Sequence, residues 1–201
     1  MTSKILAQGA EAIITLDKNI ITKNRIPKSY RLKKLDDKIR ESRTRKEAKI
    51  LEKASKIISV PRVLKQSEYS LELEYIDGDK LSQTLNSYPE KKQFEVMEIL
   101  GEETSKLHAQ DIIHGDLTTS NTILKDETVF IIDFGLSFIS HRTEDKAVDL
   151  HLIKQALEAK HFQNHQELFT HFKKGYEKNY KDSAKVLEQL KKVELRGRHK
   201  H

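Results

Sequence analysis

Asp116 and Asn121 stand five residues apart in His114-Gly115-Asp116-Leu117-Thr118-Thr119-Ser120-Asn121. Asp133 opens an Asp133-Phe134-Gly135 turn after the apolar run Val129–Ile132. Two carboxylates and a carboxamide in this order are the equipment of phosphoryl transfer. The first carboxylate takes up the proton of the attacking group, the amide holds one magnesium, and the second carboxylate holds magnesium bridging the phosphates. Gly115 occupies the position before the first carboxylate, where arginine is usual. The interval from Asp116 to Asp133 has room for one β-hairpin, Thr122–Leu124 with Val129–Ile132, turning at Lys125-Asp126-Glu127. An Asp-Phe-Gly alone is weak, because Asp/Gly turns follow many strands. Both halves in order, joined by a hairpin-length segment, carry a specificity that neither has alone.

The elements that must position these groups are legible on both sides. Ser3–Ala7, Ala12–Leu16 and Ile20–Lys23 read as three short antiparallel strands. In a phosphotransferase of this kind a glycine-rich loop between the first two strands covers the phosphates with backbone N–H groups. Only Gly9 is present here, a minimal version of that loop. Lys23 closes the third strand, the place of a lysine that pairs with the α- and β-phosphates and is held by a glutamate from the next helix. A long helix is expected from about Asp36 to Ile58. Glu47 falls on its apolar stripe with Ile39, Ile50, Leu51, Ala54 and Ile57/Ile58. A carboxylate there needs a partner: Lys23 is favoured, with Arg43, one turn earlier, the alternative.

After Pro61, the segments Arg62–Lys65 and Ser70–Tyr75 read as a hairpin completing a five-stranded sheet. Glu74–Gly78 is the expected lobe boundary, dividing residues 1–76 from 77–201. A helix starting at Pro89 and lined by Phe94, Met97, Leu100, Gly101, Thr104 and Leu107/His108 supports the catalytic loop. His114 reads as a packing and hydrogen-bonding support rather than a base. Ser140–Asp145 reads as a short polar connection, followed by a helix from Lys146, two or three helices in all, and a basic tail over residues 195–200. So little chain leaves no room for the long activation segment and peptide platform of a regulated protein kinase.

Composition bounds the rest. Of 201 residues, 34% are charged and 36% hydrophobic, which with a mean hydropathy of −0.67 points to a soluble protein of the cytoplasm. No apolar run has membrane-spanning length, and the N-terminus lacks a signal-peptide core. There is no cysteine, hence no disulfide and no thiolate metal site. The net charge of +6 conceals an asymmetry. Lys23–Lys56 holds fourteen Lys/Arg against five Asp/Glu, Ser67–Leu150 seven against eighteen, and residues 151–201 twelve against six. Basic flanks around an acidic middle suit an anionic partner held away from the metal site.

At this point the chain resembles a particular family, the small atypical kinase subunit of the KEOPS (EKC) tRNA-modification complex. The likeness spans nearly the whole chain. It rests on Gln8-Gly9-Ala10-Glu11-Ala12, on Lys23 with Pro27-Lys28-Ser29-Tyr30-Arg31, and on Arg43-Thr44-Arg45-Lys46-Glu47-Ala48. It continues through His114–Asn121, Asp133-Phe134-Gly135-Leu136, Glu144–Leu150 and Arg196-Gly197-Arg198. The resemblance implies an α+β, bilobal protein-kinase-like fold: a small N-terminal lobe of antiparallel sheet plus long helix, and a reduced, mainly helical C-terminal lobe. It implies ATP and Mg2+ as cofactors, with turnover acting mainly as an ATPase switch in a protein classed as a Ser/Thr kinase. The implied partners are a metal-dependent threonylcarbamoyl-transferase subunit, other KEOPS subunits and, through the complex, tRNA. By position, Asp116 resembles the catalytic residue, Asn121 and Asp133 the magnesium ligands, and Gly9, Lys23 and Glu47 the ATP-binding set. Asp149 resembles the buried aspartate that braces the catalytic loop.

Two other readings use the same residues. Aminoglycoside-type phosphotransferases share His-Gly-Asp and the Asn five residues later, but need a large helical acceptor domain. A scaffold with a vestigial site has no need to keep Lys23, Asp116, Asn121 and Asp133 together. The Arg196–Lys200 tail has the composition to hold RNA phosphates.

Overall fold

The computed structural model describes residues 3–198. Two compact units are formed, one by the chain up to Lys56 together with Val60–Asp77, the other by Ile57–Ser59 and the chain from Gly78 onward.

The first unit is an antiparallel sheet with one helix. Its elements are β1 (Lys4–Gln8), β2 (Ala12–Asp17), β3 (Ile20–Arg25), α1 (Lys33–Ala54), β4 (Val63–Gln66) and β5 (Ser70–Glu74). The sheet runs β1-β2-β3-β5-β4, so β3 is central, and Lys23 faces Ile14 on one side and Leu71 on the other. α1 lies against β4 and β5. It buries Thr44, Glu47, Ala48, Leu51 and Ala54, the three-to-four spacing of one helical face; Leu71 and Leu73 are buried on the sheet.

Both ends of α1 differ from the sequence expectation. It begins three residues early because buried Asp36 is held inside its first turns by Arg40 Nε at 2.7 Å, while its N–H donates to Leu32 O. It ends at Ala54 rather than Ile58 because Ile57–Ser59 joins the second unit, where Ser59 O accepts the Ile131 N–H at 3.2 Å. β3 likewise runs past Lys23 to Arg25, whose N–H bonds to Tyr69 O at 2.9 Å.

The second unit contains β6 (Asp79–Lys80), α2 (Leu81–Thr84), α3 (Glu90–Ala109), β7 (Ile112–Ile113), β8 (Thr122–Lys125), β9 (Thr128–Ile131), β10 (Phe138–Ile139), α4 (Thr143–Lys160), α5 (His165–Glu177) and α6 (Ser183–Arg198). Pro89 stands immediately before α3, and its carbonyl accepts the Gln93 N–H. The β8–β9 hairpin turns through Asp126 and Glu127, both with positive φ, the two-residue turn whose twist matches its strands. α3 and α5 cross closely over two glycines. A methyl group on Gly101 would run into the Phe172 carbonyl, and one on Gly175 into that of Glu98. Around this crossing Met97, Leu100, Leu107, Leu168, Phe172 and Tyr176 are buried.

The expected polar connection over residues 140–145 is shorter than its sequence implies. α4 starts at Thr143, where Glu144 and Asp145 occupy the first turn and oppose the positive end of the helix dipole. The expected basic tail is also in part helix. α6 runs to Arg198, and Arg196 is fixed by an ion pair of 2.5 Å to Glu144 of α4. Residues 199 and 200 of that tail lie outside the described residues.

Candidate active site

β7 leads into the His114–Asn121 loop, and Asp149 on α4 sets the loop's backbone. One oxygen of the Asp149 carboxylate accepts the His114 N–H at 2.6 Å and the other the Gly115 N–H at 2.8 Å. His108 of α3 approaches the same carboxylate at 3.3 Å and bonds on its other side to the Tyr176 hydroxyl at 2.8 Å. All three side chains are buried. Burial raises the Tyr176 phenol far above its ordinary range, so it stays protonated and can donate to His108. Asp149 thus has the bracing contacts expected of it.

Gly115 has φ +80°, and a Cβ there would lie 2.6 Å from the Leu136 carbonyl. An arginine at this position would combine a left-handed backbone with a backbone clash, which is the physical reason for the glycine. The two halves of the motif are therefore in direct contact. His114 strengthens that link. Its Nδ1 accepts the Asp116 N–H at 3.2 Å, which requires the proton on Nε2, and Nε2 donates to Ile132 O at 3.0 Å. The ring also packs edge-on to Phe134 at 4.8 Å. His114 is a support, as its sequence context indicated.

Asp116 and Asn121 are brought together. A 3-10 turn over Thr119–Asn121 swings the Asn121 amide back, so that Nδ2 donates to the Asp116 carbonyl at 2.9 Å and to its carboxylate at 2.8 Å. Both acceptors are oxygens, which fixes the amide orientation and leaves its oxygen for another ligand. Asp133 has φ 62°, ψ 72° and accepts the Gly135 N–H at 3.2 Å. Phe134, 1% exposed, anchors the turn. Asp116, Asn121 and Asp133 are all half-buried.

In the first unit Glu47 is 1% exposed and meets Lys23 Nζ at 2.7 Å. Arg43, the alternative partner, pairs instead with Glu11 at 2.5 Å. The sequence reading missed Arg25, whose guanidinium is 5% exposed and donates to the second Glu47 oxygen at 2.5 Å. Its signal was the strand period: residues 23 and 25 point to the same face of β3. The β1–β2 loop is tied down by Lys28 Nζ on the Ala10 carbonyl and by Arg43 on Glu11. Gly9 donates its N–H to Ala12 O at 3.0 Å. A Cβ there would meet only the Ala12 carbonyl at 3.8 Å, so the loop's own backbone makes no demand for glycine.

A second missed residue is His161, just past α4. It is buried, with Nδ1 donating to Asn86 Oδ1 at 2.6 Å and Nε2 accepting from Thr119 Oγ1 at 3.2 Å. It thereby holds the 3-10 turn that carries Asn121. Burial, and then the neighbouring Lys160 charge, lower its pKa.

The donor set fits magnesium with a nucleotide. Among the described residues no group of three or more His, Cys, Asp or Glu forms a protein-only metal cage. Magnesium is commonly held by one or two carboxylates plus substrate phosphates, and the Asp133 carboxylate with the Asn121 amide oxygen offers hard oxygen donors of that type.

The RIO-domain family profile matches residues 2–150. The chain is 37% identical to the KEOPS complex subunit Bud32 of Pyrococcus abyssi, over 98% of this chain and 96% of that protein. It is 36% identical to a probable bifunctional tRNA threonylcarbamoyladenosine biosynthesis protein of Methanosarcina barkeri, over 98% of this chain but only 36% of that protein. Among solved structures, the Rio2 kinase–ADP/Mg2+-phosphoaspartate complex from Chaetomium thermophilum superposes with a TM-score of 0.63 at 16% identity, covering 100% of this chain and 71% of the other. The fold is protein-kinase-like, and the chain belongs to the RIO-domain family, in the group of the KEOPS subunit Bud32.

Proposed function

We propose that the chain is an ATP- and Mg2+-dependent atypical Ser/Thr kinase that acts mainly as an ATPase, serving as the Bud32-type subunit of a KEOPS complex in the cytoplasm. In that role it supports formation of N6-threonylcarbamoyladenosine in tRNA beside a metal-dependent threonylcarbamoyl-transferase subunit. The observation that carries the reading is the match over 96% of a Bud32 protein, joined to the Asp116–Asn121 contact. This chain spans 36% of the bifunctional tRNA threonylcarbamoyladenosine biosynthesis relative, which supports a second activity of the same modification as its companion. Likeness to an aminoglycoside phosphotransferase extends to the fold, with a TM-score of 0.54 at 13% identity over 96% of this chain, and at that identity carries no shared substrate.

Bound Mg-ATP supplies the transferable phosphoryl group and the charge that stabilises its departure. Asn121 and Asp133 would hold the metal, the first through the amide oxygen that its bond to Asp116 leaves open. Asp116 accepts the proton of the attacking water or hydroxyl as the new phosphorus–oxygen bond forms and the bond to ADP breaks. The Asn121 amide restrains that carboxylate, and the Asp149 brace fixes the loop beneath it. Lys23, aligned by Glu47, would meet the α- and β-phosphates, and backbone N–H groups around Gly9 would cover them.

ATP hydrolysis by the purified chain, with and without a transferase partner and tRNA, tests the proposal. Turnover should require magnesium and fall about 10²–10⁴-fold in Asp116→Ala. A folded Asp116→Ala protein turning over at the parental rate would remove Asp116 from the chemistry.

A further inference from the structure

One face of α1 packs on the sheet; the opposite face has no role in the site. Along it stand Lys34, Lys38, Arg45, Lys49 and Lys53, all exposed, with Ser42 between the second and third. At about 100° per residue these positions fall within about 100° of arc, and at about 1.5 Å per residue they extend about 28 Å. They form one straight cationic ridge, with neighbouring charges about 6–10 Å apart. No ion pair engages Lys34, Lys38, Lys49 or Lys53 among the described residues; Arg45 reaches Glu41 at 3.5 Å. The acidic residues of this helix lie elsewhere. Glu41 and Glu52 border the ridge along one edge, Asp37 is held by Arg40 at 2.6 Å and approached by Lys33 at 3.5 Å, and Asp36 and Glu47 are buried.

A lysine ridge without partners costs self-repulsion, which a polyanion relieves. Its spacing is regular and it is without exposed aromatic residues, so it lacks the stacking platforms that read unpaired bases. Phosphate backbone contact is what such a ridge offers, and A-form RNA is recognised chiefly through backbone and shape. The expected basic tail is a weaker candidate within the described residues, since Arg196 already pairs with Glu144.

We infer that this ridge of α1 is an RNA-binding surface, gripping the phosphate backbone of a structured RNA independently of its sequence. The choice of RNA rests on the tRNA-modification function proposed above. An acidic protein surface is the competing occupant. The arrangement has a mechanical consequence: α1 carries Glu47 on its other face, so RNA held on the ridge would bear on the helix that positions Lys23.

The test uses the full chain and two triple variants of equal charge change: Lys38→Gln/Lys49→Gln/Lys53→Gln on the ridge, and Lys91→Gln/Lys181→Gln/Lys191→Gln elsewhere. A tRNA transcript and a structured RNA hairpin of unrelated sequence serve as probes over a salt series. Each duplex phosphate contact contributes about −0.9 to the slope of log affinity against log salt. The ridge variant should therefore bind both probes more than about tenfold more weakly at 0.1 M salt, with a slope shallower by about 2–3. The control variant should keep most of the affinity, and basal ATP turnover should be unchanged in both.

Equal affinities and slopes for parent and ridge variant would overturn the inference, even if the ridge variant lost a protein partner. So would equal losses in both variants, which would make net charge the cause. Because the readout is RNA binding, failure here is separable from failure of the ATPase reading, which would show as absent magnesium-dependent turnover in the parent.

Discussion

Replacing Glu47 by alanine should destabilise the first unit far more than replacing either of its partners. Glu47 is 1% exposed and its two oxygens meet Lys23 at 2.7 Å and Arg25 at 2.5 Å, with those side chains only 11% and 5% exposed. Removing the carboxylate takes the buried partner from Arg25 and one contact from Lys23, and breaking a buried pair costs about 3–5 kcal/mol. For a chain of this size that corresponds to a fall in Tm of about 6–20 °C. Lys23→Met is different, because Glu47 keeps the Arg25 bond; a loss below about 2 kcal/mol is expected, together with loss of ATP turnover. Arg25→Met should be equally mild in stability while retaining much of the turnover, since the Lys23–Glu47 bond survives. Urea unfolding and ATP hydrolysis on the three single variants, and on Lys23→Met/Glu47→Ala, give the full cycle. The double variant should lose less stability than the two singles summed, because the Lys23–Glu47 bond that each single removes is lost only once. A Glu47→Ala protein within about 1 kcal/mol of the parent, or a Lys23→Met protein as unstable as Glu47→Ala, would refute the shared-carboxylate argument.

Gly115→Ala should cost about 1–2 kcal/mol for its left-handed backbone alone. The added methyl also displaces the Leu136 carbonyl, so turnover should fall about 10²-fold through misplacement of Asp116 with the circular dichroism unchanged. His161 predicts an acid dependence. Its pKa is held below the ordinary 6.5, first by burial and then by Lys160, so the unfolded chain binds more protons in the window below 6.5. The stability it contributes is complete above that value and is lost as pH falls through the window. His161→Asn should therefore show a smaller drop in urea midpoint between pH 7 and pH 5 than the parent; an unchanged drop would contradict it. Gly175→Ala should lower Tm by pushing α5 away from the Glu98 carbonyl, while magnesium dependence of turnover is retained.

Much of the site was written in the sequence because its chemistry is local. Asp116 and Asn121 lie within one loop, and five residues plus a 3-10 turn suffice to join them. The β8–β9 hairpin follows from strand propensity and turn residues. The helical stripe put Glu47 on a buried face, since a period of 3.6 needs no knowledge of what covers it. Tertiary structure decided what pairs with what. That Glu47 serves two cations, and that Arg43 goes to Glu11 instead, depends on where the sheet places β3 against α1. That Gly115 must be glycine depends on Leu136, 21 residues later, whose carbonyl the chain returns to within 2.6 Å of the missing Cβ. His161 touches Thr119 across 42 residues, a contact no periodicity announces. Helix ends were misjudged at residues 54, 143 and 198 for one reason: they are set by where the chain must go next and what an end residue meets, as Ser59 meets Ile131 and Arg196 meets Glu144. Spacing determines which residues share a face, and only packing determines what that face meets.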